Sequence, residues 1–213
     1  MDMIKTLGDA GITPVIVIED LDKAVPLANA LVKGGLPVLE VTFRTSCAAE
    51  AIAKIKAEVP GAILIAGTVL TLKQLVAAKE AGVEACVAPG FDPAVVKAAN
   101  ELGIPFCPGV ATASELSQAL ALGCKMVKFF PAESAGGVKY IKDLLGAFRW
   151  TGVKFMPTGG VKLSNVADYL AVKEIICCGG TWIAPKDAIA AGDWATIEKL
   201  ASDAAALAKQ IRG

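Results

Sequence analysis

The sequence predicts a parallel α/β protein, built as a single (β/α)8 barrel domain over residues 1–213. Short β-branched runs recur along the chain, alanine-rich amphipathic segments separate them, and a length of 213 residues suits one large domain. Strands that alternate with helices pair in parallel, because a parallel partner needs a crossover connection. An open doubly wound sheet is the alternative, since periodicity does not show closure. The chain lacks the strand–helix GxGxxG motif of the dinucleotide-binding version of that sheet.

Eight runs have the character of strands, and a helical segment or a turn follows each. They are TPVIVI from Thr13, LPVLEVT from Leu36, AILIAG from Ala62, EACVAP from Glu84, PFCPGV from Pro105, KMVKFF from Lys125, VKFMPTGG from Val153 and EIICCGG from Glu174. Helical patterns such as LDKAVPLANALVKGG, SCAAEAIAKIKAEV and TLKQLVAAKEAG lie between them, and several end on glycine. We also expect a short helix before the first strand.

Composition excludes several classes of function. The 21 basic and 21 acidic residues balance without a basic run, so we expect no nucleic-acid partner. No apolar run reaches the roughly 20 residues that cross a bilayer, and Met1–Ala10 lacks the layout of a secretory signal. We therefore expect a cytoplasmic protein with no membrane partner.

Side-chain chemistry narrows the choice further. The chain contains no histidine, which excludes histidine-ligated zinc sites and the ordinary Ser–His or Cys–His nucleophile pairs. The six cysteines form no CxxC motif, and they are typical of small buried residues in a reducing compartment. We expect neither a metal nor a cofactor.

Lys128 stands in the middle of an apolar strand, where a charged side chain needs an explanation. Its amine should point into the barrel interior or into the helix layer, and both are poor in water. Desolvation disfavours the ammonium form, and a neutral amine attacks ketones to form a Schiff base. Glu40 is embedded in the same way in LPVLEVT and could move the protons that this chemistry requires. A purely structural ion pair between the two is the simpler alternative.

Other candidate groups follow strand ends, where the active site of a barrel forms. Arg44 directly follows the second strand, and its planar fork suits a substrate carboxylate. Thr68 and Thr158 could bind the same carboxylate or merely cap the following helices. Glycine pairs follow strands seven and eight, where backbone N–H groups can approach a phosphate, although turn geometry alone would also explain them. The residues of this predicted phosphate site are Gly159, Gly160, Gly179, Gly180 and Thr181.

Six motifs occur in order across nearly the whole chain: LEVTFRT, AGTVL, PGVAT, KFFPAE, PTGGV and GGTW. With them the sequence closely resembles the bacterial 2-keto-3-deoxy-6-phosphogluconate aldolases, also called KDPG/KHG aldolases. The resemblance implies a class I aldolase on a TIM barrel, usually a homotrimer. It implies cleavage of a phosphorylated keto-acid substrate to pyruvate and glyceraldehyde 3-phosphate in the Entner–Doudoroff pathway. It also implies 4-hydroxy-2-oxoglutarate as a second substrate.

The resemblance assigns a role to each candidate residue. The Schiff-base lysine of the family falls on Lys128, and its proton-shuttling glutamate falls on Glu40. The contacts to the pyruvate carboxylate fall on Arg44 and Thr68, with Thr158 close to the substrate. The phosphate loops of the family fall on Gly159, Gly160, Gly180 and Thr181.

Three departures from the family pattern are visible. Thr181 stands where many relatives have serine, Ala88 stands where serine often precedes Pro-Gly, and the loop after Glu133 reads SAGG where an asparagine is common before the glycines. None of them removes a catalytic group.

Two alternative functions stay open. An aldolase of the same mechanism could prefer 2-keto-3-deoxy-6-phosphogalactonate or unphosphorylated 4-hydroxy-2-oxoglutarate. A non-enzymatic assembly scaffold that keeps the barrel is the alternative from another class.

Overall fold

Strands and helices alternate along residues 2–212, the part of the chain that the computed structural model describes. In chain order the elements are α1 (Met3–Ala10), β1 (Ile12–Ile16), a 3-10 helix (Leu21–Lys23), α2 (Ala24–Lys33), β2 (Val38–Thr42), α3 (Ala48–Glu58), β3 (Ile63–Gly67), α4 (Leu72–Glu80), β4 (Ala85–Val87), α5 (Pro93–Glu101), β5 (Phe106–Cys107), β6 (Gly109–Val110), α6 (Ala113–Ala121), β7 (Met126–Phe129), α7 (Gly137–Phe148), a second 3-10 helix (Arg149–Thr151), β8 (Lys154–Pro157), α8 (Val166–Leu170), β9 (Cys178–Gly180), α9 (Lys186–Ala191) and α10 (Trp194–Arg212). The predicted alternation is confirmed, and so is the initial helix.

All strand pairs are parallel, as the alternation predicts, but the hydrogen-bonded ladder is not continuous. Six strands form one sheet in the order β5-β4-β3-β2-β1-β9, and the other three form a sheet in the order β6-β7-β8. The architecture is therefore a curled, barrel-like parallel sheet with helices outside it. The ladder is interrupted at two places, within the predicted fifth strand and at the start of the predicted eighth strand.

The predicted fifth strand, Pro105–Val110, is in fact two segments. Pro108 separates β5 from β6, because proline has no N–H to donate to a ladder. Its carbonyl still accepts a hydrogen bond of 2.8 Å from the backbone N–H of Lys128, so β7 lies directly beside the break.

The predicted eighth strand begins too early. Only Cys178–Gly180 is regular strand, whereas the expected start was Glu174. Two isolated parallel bridges, Phe155 with Ile175 and Thr158 with Gly179, connect this part of the chain to β8 and the residue after it. Glu174 contributes only its carbonyl, which accepts a hydrogen bond of 2.8 Å from the N–H of Phe155.

The predicted helices are confirmed with slightly shorter bounds. Thr71, Asp92 and Thr112 accept backbone N–H groups with their side chains at the first turns of α4, α5 and α6. Thr112 and Glu115 form a reciprocal capping box. Along residues 2–212 no helix combines the length and the apolar character that a bilayer crossing requires.

The core has an outer and an inner part. The outer part packs helices against strands, whereas the inner part fills the space enclosed by the curled sheet. Buried residues of the inner part include Leu7, Val38, Val87, Met126 and Met156. Since strand side chains alternate in direction, Glu40 follows Val38 on the inner face and Lys128 follows Met126. A charged pair thus sits directly above an apolar layer.

Candidate functional site

The site is built around an ion pair between Lys128 of β7 and Glu40 of β2. The Lys128 amine donates a hydrogen bond of 2.9 Å to Oε1 of Glu40. The two residues are only 2% and 0% exposed, so the pair is buried. The amine also lies 5.7 Å from the centre of the Phe130 ring, within range of a cation–π attraction. The prediction that Lys128 and Glu40 meet in a water-poor interior is confirmed.

Gly67 makes room for the Glu40 side chain. It is the last residue of β3 and pairs with Thr42, which lies two positions after Glu40 in β2. A Cβ atom on Gly67 would lie 2.7 Å from Cγ of Glu40 and would overlap its carboxylate as well. Only glycine therefore permits the observed orientation of Glu40 toward Lys128.

Two buried oxygen atoms at the site have no hydrogen-bond partner among residues 2–212. They are Oε2 of Glu40 and Oγ1 of Thr158, the residue that follows β8. Buried polar atoms are normally satisfied, because an unsatisfied one carries a desolvation cost of about 1–3 kcal/mol. Buried oxygens without a partner are suited to accept hydrogen bonds from a polar ligand, and the Thr158 hydroxyl can also donate one. Gly179 provides space for Thr158, since a Cβ atom there would lie 3.2 Å from Cγ2 of Thr158 and would overlap its hydroxyl.

Arg44 and Thr68 meet at the open side of the site, above the ends of β2 and β3. Nε of Arg44 donates a hydrogen bond of 3.2 Å to the Thr68 hydroxyl. Thr68 has a φ of 58°, a left-handed conformation that a β-branched residue adopts rarely and at a cost. Such strain accumulates at functional sites. The Thr68 hydroxyl keeps its own hydrogen available, and the exposed Arg44 makes no other hydrogen bond within residues 2–212.

The predicted phosphate residues lie on two neighbouring segments. Gly159 and Gly160 form a turn with φ values of 97° and 79°, which glycine adopts without strain. Gly180 is the last residue of β9 and is buried, because its missing side chain leaves room for the Trp182 ring. Thr181 follows directly and is exposed. The bridge between Thr158 and Gly179 holds the two segments side by side.

Four of the six cysteines are not candidates for nucleophilic chemistry, because they are buried. Burial raises the pKa of the Cys86 and Cys177 thiols to about 12, and it raises the pKa of Cys107 and Cys178 as well. Thiols that stay protonated in this way are inert toward electrophiles. Within the described residues there is also no cluster of three acidic or cysteine side chains that could hold a metal ion.

Two contributions to the site were not predicted. One is the space left by Gly67, because nothing in the sequence shows that a side chain there would displace Glu40. Glu133 occurs in the KFFPAE motif, yet no role was predicted for it. In the structure its carboxylate accepts a hydrogen bond from the buried Tyr169 hydroxyl. The one sequence signal for a role of Glu133 was its place in the KFFPAE motif, which begins at Lys128.

Comparison with known proteins places the chain among the aldolases. It belongs to the KDPG and KHG aldolase family, whose model matches residues 3–200. A KHG/KDPG aldolase of Escherichia coli (strain K12) is 50% identical to it over 198 residues, which cover 93% of this chain and 92% of the relative.

Solved structures give the same result for the fold. The 2-keto-3-deoxy-6-phosphogluconate aldolase of Zymomonas mobilis ZM4, solved with 3-phosphoglycerate, has 45% identity and a TM-score of 0.90, with 97% of both chains covered. The KDPG aldolase of Legionella pneumophila has 38% identity and a TM-score of 0.91, covering 95% of this chain and 98% of that one. That structure captured pyruvate at low pH as a covalent carbinolamine intermediate.

Proposed function

We propose that the protein is a class I aldolase that cleaves 2-keto-3-deoxy-6-phosphogluconate to pyruvate and glyceraldehyde 3-phosphate. One observation carries the proposal: the Lys128 amine lies 2.9 Å from Glu40 in a buried site, and the second Glu40 oxygen has no partner among residues 2–212. The names of the E. coli and Z. mobilis relatives support this substrate, and the carbinolamine in the L. pneumophila relative supports the covalent route.

The first half of the reaction forms the imine. Glu40 accepts a proton from the Lys128 ammonium along their hydrogen bond, which leaves a neutral amine. The amine attacks the C2 ketone of the substrate and forms a carbinolamine. Glu40 then returns a proton to the C2 hydroxyl, which leaves as water, and an iminium joins Lys128 to C2. The positive nitrogen can accept the electron pair of the bond that breaks next.

The second half cleaves the carbon chain. The Glu40 carboxylate takes the proton of the C4 hydroxyl, the C4 carbonyl forms, and the electrons of the C3–C4 bond move into the iminium. Glyceraldehyde 3-phosphate leaves, and an enamine of pyruvate stays on Lys128. Protonation at C3 and addition of water release pyruvate and regenerate the amine. Glu40 can perform these successive transfers because one oxygen lies 2.9 Å from the Lys128 amine while the other has no hydrogen-bond partner among residues 2–212.

Arg44, Thr68 and Thr158 are proposed to bind the substrate carboxylate. Arg44 and Thr68 are already joined at 3.2 Å, so their remaining donors are held close together. Thr158 supplies a buried hydroxyl without a partner among the described residues. A carboxylate held by these groups would keep the adjacent ketone close to Lys128, and such positioning is a large part of catalysis.

The terminal phosphate is proposed to bind at Gly159, Gly160, Gly180 and Thr181. The support is their arrangement on two segments joined by the Thr158–Gly179 bridge, with Gly160 and Thr181 exposed at the mouth. Backbone N–H groups of glycine turns suit phosphate because no side chain blocks the approach.

A second substrate, 4-hydroxy-2-oxoglutarate, follows from the same geometry. The proposed chemistry uses only the keto-acid end of the substrate, which the two compounds share. Its cleavage would yield pyruvate and glyoxylate without using the phosphate residues. The name of the E. coli relative, a KHG/KDPG aldolase, supports this second activity.

Trapping with borohydride tests the covalent step. The protein is incubated with pyruvate and sodium borohydride, and the adduct is located by peptide mass mapping. We expect a stable adduct on Lys128 and none in a Lys128→Met variant. An adduct on another lysine, or none at all, would refute the assignment. Cleavage rates for the gluconate and galactonate epimers, and for substrates with and without phosphate, then rank the substrates.

We also propose that the strands act as one closed (β/α)8 barrel in a single domain. Hydrogen bonds span both breaks in the ladder: Lys128 N–H to the Pro108 carbonyl at 2.8 Å, and Ile176 N–H to the Phe155 carbonyl at 3.1 Å. A single cooperative transition in urea, followed by fluorescence and by circular dichroism, would support one domain. Transitions at different urea concentrations for the two probes would contradict it.

We also propose that the protein is a homotrimer and that it is located in the cytoplasm. Three large apolar side chains on or next to α4, namely Leu70, Leu72 and Val76, are exposed in the single chain. Exposed apolar groups close together are typical of a subunit contact. All six thiols are free, which suits a reducing compartment. Light scattering of the purified protein measures the mass, and cell fractionation tests the location.

A further inference from the structure

Glu133 and Tyr169 form a side-chain pair that the proposed reaction does not use. Glu133 lies on the β7–α7 loop and Tyr169 lies in α8, the helix after the Gly159–Gly160 turn. The Tyr169 hydroxyl donates a hydrogen bond to Oε1 of Glu133. Tyr169 is only 1% exposed, and burial together with the Glu133 carboxylate raises its pKa well above the usual range. Its hydroxyl therefore remains a hydrogen-bond donor at any pH where the protein would work.

Glu133 also determines the position of the glycine turn. Its backbone N–H donates a hydrogen bond of 3.0 Å to the Gly159 carbonyl. Its side chain covers one face of the otherwise exposed Gly160, where a Cβ atom would lie 2.6 Å from Cγ of Glu133. The turn thus depends on Glu133 through both a backbone hydrogen bond and close packing. Any movement of the Glu133 side chain would release the face of the turn that it covers.

The Glu133 carboxylate is oriented toward the start of α7. A Cβ atom on Gly137, the first residue of α7, would lie 3.3 Å from Oε1 of Glu133 and 3.4 Å from the Tyr169 hydroxyl. The helix has 12 residues and no side-chain cap, so its N-terminal end favours a nearby negative charge. The Tyr169 hydroxyl holds the carboxylate through this hydrogen bond, and the nearby helix end favours its charge. Without them a mobile negative charge would stand beside the proposed phosphate site and repel the ligand.

We propose that Glu133 and Tyr169 are positioning residues that hold the Gly159–Gly160 turn ready for phosphate and thereby set the preference for phosphorylated over unphosphorylated substrates. This inference rests on the proposed function, because it assumes that the turn binds the substrate phosphate. Neither residue touches the reacting atoms in this account. Loss of the pair should therefore affect phosphate recognition and leave imine formation at Lys128 unchanged.

The test removes a single hydroxyl. Tyr169→Phe keeps the ring that packs in the core and deletes the donor to Glu133. Tyr140→Phe is the matched control, since Tyr140 is the other tyrosine of the chain and its hydroxyl makes no hydrogen bond within residues 2–212. A Glu133→Gln variant keeps an acceptor for Tyr169 in a side chain of the same size. Circular dichroism verifies that each variant is folded.

Steady-state cleavage and phosphate binding are both measured. For 2-keto-3-deoxy-6-phosphogluconate we expect Tyr169→Phe to raise KM about tenfold with little change in kcat. For 4-hydroxy-2-oxoglutarate we expect kcat/KM to change less than about twofold, since no phosphate is bound. Binding of inorganic phosphate, measured by calorimetry, should weaken about tenfold in Tyr169→Phe. Tyr140→Phe should stay close to the unchanged protein. Glu133→Gln keeps the acceptor for Tyr169 but loses the charge, so it should weaken phosphate binding less than Tyr169→Phe does.

The outcomes separate the inference from the proposed function. If Tyr169→Phe lowers kcat/KM equally for both substrates, or leaves phosphate binding unchanged, the positioning role is refuted even though the aldolase stands. If the unchanged protein cleaves neither substrate and forms no borohydride adduct, the proposed function fails. The phosphate calorimetry still decides the positioning role in that case, because it needs no turnover.

Discussion

The floor and the rim of the site differ in burial and in how strongly water screens their charges. The floor, which consists of Lys128, Glu40 and Thr158, is buried and lies on or directly after strands. The rim, which consists of Arg44, Thr68, Gly160 and Thr181, lies on loops and is partly or fully exposed. Charges on the floor interact strongly because little water screens them, whereas charges on the rim are screened. We therefore expect floor substitutions to reduce the chemical step and rim substitutions mainly to reduce binding.

Lys128→Met should have the largest effect. It removes the amine proposed to form the imine, so kcat/KM for the phosphorylated substrate should fall by about 10⁴-fold or more. Lys125→Met is the control, because Lys125 precedes the same strand and is exposed. Retained activity in Lys128→Met would show that the floor is not the reaction centre. Circular dichroism checks the fold, since Glu40 loses its partner.

Glu40→Gln should follow. The amide keeps the size of the side chain and can still accept a hydrogen bond from Lys128, but it cannot take protons. We expect kcat to fall by about 10²–10⁴-fold, with KM changed far less. A rapid-quench measurement of borohydride trapping should show slow imine formation. An unchanged rate would remove Glu40 from the mechanism and reduce the pair to a structural role.

Gly67→Ala tests the floor without changing a polar group. The added methyl would lie 2.7 Å from Cγ of Glu40 and would displace its carboxylate. A shift of about 1 Å in a catalytic group can cost about 10²-fold in rate. Gly90→Ala is the matched control, because Gly90 follows β4 and has no atom within 4 Å of the position of a Cβ. Equal activity of the two variants would contradict a tightly packed floor.

Arg44→Lys tests the rim. The lysine keeps the positive charge but loses the planar fork, and an exposed ion pair is weak. We expect KM for the substrate to rise about tenfold while kcat stays within about threefold. Arg149→Lys, which alters an arginine paired with Glu174 at 2.9 Å and remote from the site, is the control. A large fall in kcat instead would mean that Arg44 belongs to the chemistry.

The smallest effect concerns stability at alkaline pH. Burial raises the pKa of Cys177 to about 12, so the unfolded chain loses this proton first as the pH rises. The stabilisation is complete below the pKa of the unfolded thiol and is lost as the pH increases toward the folded value. Above the pKa of the unfolded thiol, the free energy of unfolding should fall by about 1.4 kcal/mol per pH unit for each such thiol.

Urea unfolding at pH 8 and pH 10 under reducing conditions measures this loss. A Cys177→Ala variant should lose less stability than the unchanged protein over that interval. Between pH 6 and pH 8 the two proteins should show the same pH dependence. Identical losses between pH 8 and pH 10 would contradict a buried thiol at this position.

Much of the fold and most residues of the candidate site were open to prediction from the sequence. Alternating apolar patterns predict the parallel strands and the helices, because burial periodicity is local. Lys128 and Glu40 are visible because a charge within an apolar strand is rare and has few explanations. The sequence did not predict that the ladder would be interrupted at Pro108 and before the late start of β9. Ladder hydrogen bonds depend on the neighbouring strand as well as on the residue itself.

The βα repeat, the family resemblance and the residues able to carry imine chemistry can all be read from the amino-acid order. Which atoms meet depends on the folded chain: the 2.9 Å contact of Lys128 with Glu40, the space left by Gly67, and the hydrogen bond between Tyr169 and Glu133. The two kinds of information differ in range. Periodicity and residue type act over a few neighbours along the chain, whereas Glu40 and Lys128 are 88 positions apart and come together only when the sheet curls.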